Sequence, residues 1–115
     1  MRDKLSGYSL NTEHGHGGPK ARGFARILGI TLDSIDYLEA QICASVMRAP
    51  ISKVRANPPH GVNCVVEFPL GGVGRHVGRA TIVRTVWELA GPDTPPRLLT
   101  AFPRPRGESW QSLDG

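Results

Sequence analysis

The spacing of apolar residues changes period once along the chain, and that change divides the sequence into two kinds of element. Ala21, Phe24, Ala25 and Leu28 recur at three and four residues, which predicts a helix with one apolar stripe. Pro19 suits its first position, where a missing N–H would be unpaired in any case, and Gly29 suits a left-handed cap at its end. Gly23 weakens this helix and makes it dependent on packing. Thr31 opens a second, stronger helix, with Asp33 near the positive end of its dipole. Ile35, Leu38, Ile42 and Val46 form its stripe, Tyr37 and Met47 lie beside it, and Pro50 stops it by removing a donor.

After Pro50 the period is two. Residues 51–56 read as a first strand and residues 57–61 as a turn. Val62, Cys64, Val66, Phe68 and Leu70 alternate along a second strand, which Pro69 must close or place at a sheet edge. Residues 71–74 make a hairpin. Residues 77–89 then form a long third strand, apolar on both faces and therefore central. Residues 91–96 turn the chain again and residues 97–102 form a short last strand. Residues 1–9 read as a flexible lead-in, and residues 104–115, polar and rich in Pro and Gly, as a disordered tail. That leaves residues 10–103 as a single domain. The fold class is α+β: two N-terminal helices followed by an antiparallel sheet of three or four strands.

Composition narrows this picture in three ways. A chain of 115 residues supports one hydrophobic core. The net charge of +4 and pI near 9.6 favour an anionic partner. Between Ala40 and Trp87 the excess is sharper, because Arg48, Lys53, Arg55, Arg75, Arg79 and Arg84 face only Glu67. Cys43 and Cys64 lack CxxC spacing and sit in apolar patterns, which reads as two buried free thiols. No stretch approaches the roughly 18 apolar residues of a membrane span, so no membrane partner is expected.

Chemistry concentrates in residues 10–29, LNTEHGHGGPKARGFARILG. Glycines leading into a helix start give unpaired N–H groups and a positive dipole end, a geometry that holds phosphate. Gly17, Gly18, Lys20 and Arg79 are the candidate phosphate-binding residues. The Walker spacing is absent. His14 and His16 lie beside this turn and suit proton transfer near neutral pH. The remaining histidines, His60 and His76, show no metal-ligand spacing, so no metal or other cofactor is expected.

On the third strand, Thr81, Val83, Thr85 and Trp87 share one face, while Ile82, Arg84 and Val86 share the other. Arg84 therefore points among apolar neighbours and either pairs with Glu67 or Glu88 or opens into a site. Together these groups suit metal-independent cleavage of RNA. His14 or His16 would take the 2′-hydroxyl proton, Lys20 and Arg84 would meet the charge on phosphate, and Thr85 and Thr100 would position it. A non-catalytic nucleic-acid or nucleotide module, or a protein-interaction domain, would use the same features differently.

The opening stretch resembles an uncharacterised bacterial domain family with the pattern LNxxHPxGGxKAxxFxxxLGI. Leu10, Asn11, His14, Gly17, Gly18, Lys20, Ala21, Phe24, Leu28, Gly29 and Ile30 match it. Residues 84–102 look like the same family's closing strands, and the resemblance spans about residues 8–103. It implies a toxin-like context at the C-termini of polymorphic proteins. For a toxin-like domain the acting site is expected to be cytoplasmic, with delivery from another cell an open alternative. RNA (tRNA or mRNA) would be the target, and a cognate antitoxin or immunity protein a further partner. The element order is also similar to that of the barnase–EndoU–colicin–RelE ribonucleases. One position departs: Gly15 stands where the family carries proline, which leaves His16 placed to share the role of His14.

Overall fold

In the computed structural model, residues 1–11, 15 and 18–104 are described, with the backbone alone for Asp3, Tyr8 and Ser9. A short helical turn α1 (Arg2–Lys4) continues into a π-helix (Leu5–Ser9). Then come α2 (Gly18–Leu28), a 3-10 turn (Leu32–Ser34), α3 (Ile35–Val46) and four strands: β1 (Ile51–Ala56), β2 (Val62–Gly71), β3 (Ala80–Leu89) and β4 (Arg97–Pro103). The strands form one antiparallel sheet in the order β1-β2-β3-β4, so the α+β class and the central place of β3 stand as expected.

Both helices are built by the stripes that predict them. On α2, Ala21, Phe24 and Leu28 are buried. Gly29 closes the helix at φ +71, where an added Cβ would sit 2.7 Å from the Val73 carbonyl oxygen. That approach matters because the Val73 N–H donates to the Leu28 carbonyl at 2.8 Å, fastening the helix end to the β2–β3 connection. On α3, Leu38 and Ile42 are buried and the Tyr37 hydroxyl donates to the Gly71 carbonyl at 2.8 Å. The Thr31 hydroxyl caps the preceding 3-10 turn by accepting from the Asp33 N–H. Met47 is 86% exposed rather than beside the stripe, because α3 ends at Val46, before Pro50 is reached.

The sheet presents one face to the helices. Cys64, Val66, Phe68 and Leu70 of β2 lie opposite Trp87, Thr85, Val83 and Thr81 of β3, and β4 adds Leu98 and Ala101. With Phe24, Leu28, Leu38 and Ile42 these residues make a continuous core. Burying one such side chain contributes about 1.5–3 kcal/mol.

Three expectations change, and a fourth resolves to one of its alternatives. Residues 2–9 are helical, and Leu5 is fully buried in the core, so this stretch is part of the packed body rather than a lead-in. Arg104, assigned to the tail, donates its N–H to the Ile82 carbonyl at 2.7 Å and extends the β4 pairing. Residues 105–115 lie outside the described residues. Cys43 is exposed, since the stripe of α3 passes through Ile42 instead, whereas Cys64 is buried; both are free thiols. Pro69 does not end β2 but takes the edge alternative, because β1 pairs with β2 only as far as Val66 and leaves the strand a local sheet edge at Pro69. Its partner Ile82 turns its carbonyl towards β4, so the Pro69 backbone points away from β3, to a side that β1 does not reach beyond Val66. The missing donor therefore breaks no ladder bond.

Replacing Leu5 by alanine should lower stability by about 2–5 kcal/mol in a urea titration, as for any well-packed core leucine; a flexible lead-in would give almost none. Burial pushes the Cys64 thiol up. A thiol reagent should therefore modify Cys43 in the native protein and reach Cys64 only on unfolding.

Candidate functional site

A second stripe on α2 runs beside the buried one, with Ile27 still packed against the core. Pro19, Lys20, Gly23, Arg26 and Ile27 recur at three and four residues and form one wall of a groove of about 830 Å³. Thr81 and Ile82 at the start of β3 and Phe102, Pro103 and Arg104 at the end of β4 form the other. The described lining carries three cations, Lys20, Arg26 and Arg104, and no acid. The volume lies within the range of ligand pockets, about 300–1,000 Å³.

Lys20 reaches from the first turn of α2 to the outer face of the edge strand β4. Its Nζ donates to the Thr100 hydroxyl at 2.9 Å and lies 5.0 Å from the centroid of the Phe102 ring. The other cation on that ring is Arg84, whose guanidinium carbon is 5.7 Å from the centroid. Arg84 is completely buried, and its Nε donates to Glu67 at 2.8 Å. The second carboxylate oxygen of Glu67 accepts from Arg104 at 3.2 Å. The result is a relay of contacts across the outer face of the sheet: Lys20, Phe102, Arg84, Glu67 and Arg104. Its formal charge is positive, with one acid held between two arginines.

A register shift in β4 makes this possible. Val86 pairs with Thr100 but Trp87 pairs with Leu98, so Leu99 is an extra residue. Leu98 and Ala101 thereby both face the core, while Thr100 and Phe102 both face outward. Simple alternation from Arg97 would have put Thr100 and Phe102 on the core face, which is why Phe102 escapes a sequence reading. Arg26 carries no spacing signal of its own except membership of the stripe that begins at Pro19. Arg104 was hidden by the composition of the segment it begins.

The expected site residues are distributed unevenly. Lys20 and Thr100 are brought together, and Gly18 is the buried first residue of α2. Arg84 takes the pairing role with Glu67, so it braces the sheet beneath the groove rather than lining it. Thr85 departs from the expected positioning role. It is fully buried, its hydroxyl donates to the Val66 carbonyl at 2.7 Å and accepts from the Trp87 Nε1–H at 2.8 Å. Both hydrogen-bonding capacities are thus used inside the core. Arg79 is exposed on the β2–β3 connection and outside the groove lining, although Thr81, two residues on, reaches it. His14, His16 and Gly17 lie outside the described residues. Among the described residues no three His, Cys, Asp or Glu side chains gather as a metal site.

Changing Glu67 to Gln keeps the shape but removes the carboxylate charge that pairs with the buried Arg84. Chemical denaturation should show a loss of about 3–5 kcal/mol. Adding Arg84→Met to that variant should recover part of the loss, because the buried charge goes with it.

No curated protein and no solved structure was found to match the chain. A family does match, over residues 1–105, and its extent takes in the N-terminal turns, both helices and all four strands described above. The chain belongs to the family described as Domain of unknown function (DUF6883).

Proposed function

We propose that this domain binds RNA along the groove between α2 and the β3–β4 end of the sheet. The observation that carries the reading is that the described lining holds three cations, one aromatic ring and no acid. Lys20, Arg26 and Arg104 are spaced along both walls, which suits a chain of phosphates better than one anion. The first turn of α2 contains no acidic residue, so its positive dipole end adds to the same field. Phe102 supplies an apolar surface among the charges, the combination that single-stranded nucleic acid uses.

Cleavage is the second reading, favoured by the position of the Lys20–Thr100 pair. His16 and His14 precede Gly18, the first residue of α2, by two and four residues in the sequence. A histidine there would remove the 2′-hydroxyl proton. Lys20, held by Thr100, would stabilise the charge that builds on phosphate, without a metal ion. Such a domain would be toxin-like, acting on tRNA or mRNA in a cytoplasm and restrained by a cognate antitoxin or immunity protein.

The test is binding and turnover measured on the same EDTA-treated protein with tRNA and with a mixed RNA pool. Lys20→Ala and Arg104→Ala should each weaken binding and each reduce the slope of log affinity against log salt by about 0.7. Cleavage that is lost in folded His14→Ala or His16→Ala would establish the ribonuclease. Binding with no cleavage would leave a nucleic-acid module, and the absence of salt-dependent binding would end the RNA reading.

A further inference from the structure

We infer that Gly23 marks a nucleobase subsite in the floor of the groove, an inference that rests on the RNA reading and specifies which part of the ligand lies where. Gly23 sits in the interior of α2, where glycine weakens a helix relative to alanine. Two structural reasons commonly hold a glycine in such a place, and neither applies. Its backbone is helical rather than left-handed, as it is at Gly29. An added Cβ would meet only Pro103 Cγ at 3.8 Å and Cδ at 3.9 Å, ordinary van der Waals contact. The fold would accept alanine here and gain from it.

What alanine or a larger side chain would occupy is the groove itself. Gly23 lies between Pro19, one turn before, and Ile27, one turn after, and lines the groove side by side with Pro103, which an added Cβ would touch. Ile82 completes an apolar floor, while Lys20, Arg26 and Arg104 supply the charge around it. An apolar floor within a cationic lining fits an amphiphilic anion, in which a flat uncharged ring is tied to phosphates. The bare Cα of a glycine lets a planar face come closest to the helix, and the two proline rings flank it with C–H groups. A bare phosphate would leave the apolar floor unused. A nucleotide uses both parts, with its base on Gly23 and its phosphates on Lys20 and Arg104.

The experiment compares three probes on the full chain: a short oligouridylate, an abasic ribose-phosphate oligomer of the same length, and inorganic polyphosphate. Gly23→Ala should raise the melting temperature by a few degrees, since nothing in the fold requires the glycine. Gly23→Leu should weaken oligouridylate binding by about tenfold or more while leaving polyphosphate binding unchanged. The native chain should likewise prefer oligouridylate to the abasic oligomer. Should Gly23→Leu not fold, Gly23→Ala and the abasic comparison still decide. A lowered melting temperature in Gly23→Ala would give the glycine a structural reason and overturn the subsite. Equal affinity for abasic and base-containing oligomers would also overturn it while leaving the RNA groove standing. Failure of all three probes to bind would remove the RNA reading itself.

Discussion

A fully buried arginine in the middle of a sheet is the constraint around which the rest of this fold is arranged. Arg84 is flanked by Ile82 and Val86 on its own strand, and burying its charge without compensation would cost several kcal/mol. Glu67 on β2 and the Phe102 ring on β4 supply that compensation from both sides. The three side chains sit opposite one another across β2, β3 and β4, so the sheet register is tied to an electrostatic requirement as well as a hydrophobic one. A one-residue slip of either neighbour would move its partner to the other face and strand the charge.

The same constraint prepares the groove. Glu67 is shared between Arg84 and Arg104, which ties the residue after β4 to the sheet. Phe102 is shared between Arg84 and Lys20, which draws the start of α2 to the edge strand. Two cations of the described lining, Lys20 and Arg104, are therefore arranged by contacts that also stabilise the fold. Such preorganisation lowers the ordering needed when a ligand arrives.

How far the sequence foretold this follows from which rules were local. The α2 and α3 stripes, the Gly29 cap and the two faces of β3 rest on spacing within one element, and those features are present; the β3 alternation also put Arg84 among apolar neighbours and so raised its pairing with Glu67 of β2. The departures are tertiary. Leu5 is core because the N-terminal helical turns carry it under β4, and nothing in ten mixed residues announces that. Phe102 faces outward because of an extra residue at Leu99, and a bulge has no composition of its own. Thr85 looked like a positioning hydroxyl because β3 alternation places it correctly on a face, but that face is the core. The Lys20–Thr100 pair joins residues 80 positions apart, a distance no motif spans.

Pro69 has a consequence for how the molecule behaves in company. The half of β2 beyond Val66 runs past the end of β1, and among the described residues no strand pairs with it on that side. Such a bare stretch invites another chain to add a strand and propagate into larger assemblies. Pro69 lies in that stretch with its nitrogen turned outward and no hydrogen on it, so an incoming strand meets a gap where it needs a donor. The residue that a strand-propensity rule would exclude from an inner strand works here as a stop against unwanted polymerisation.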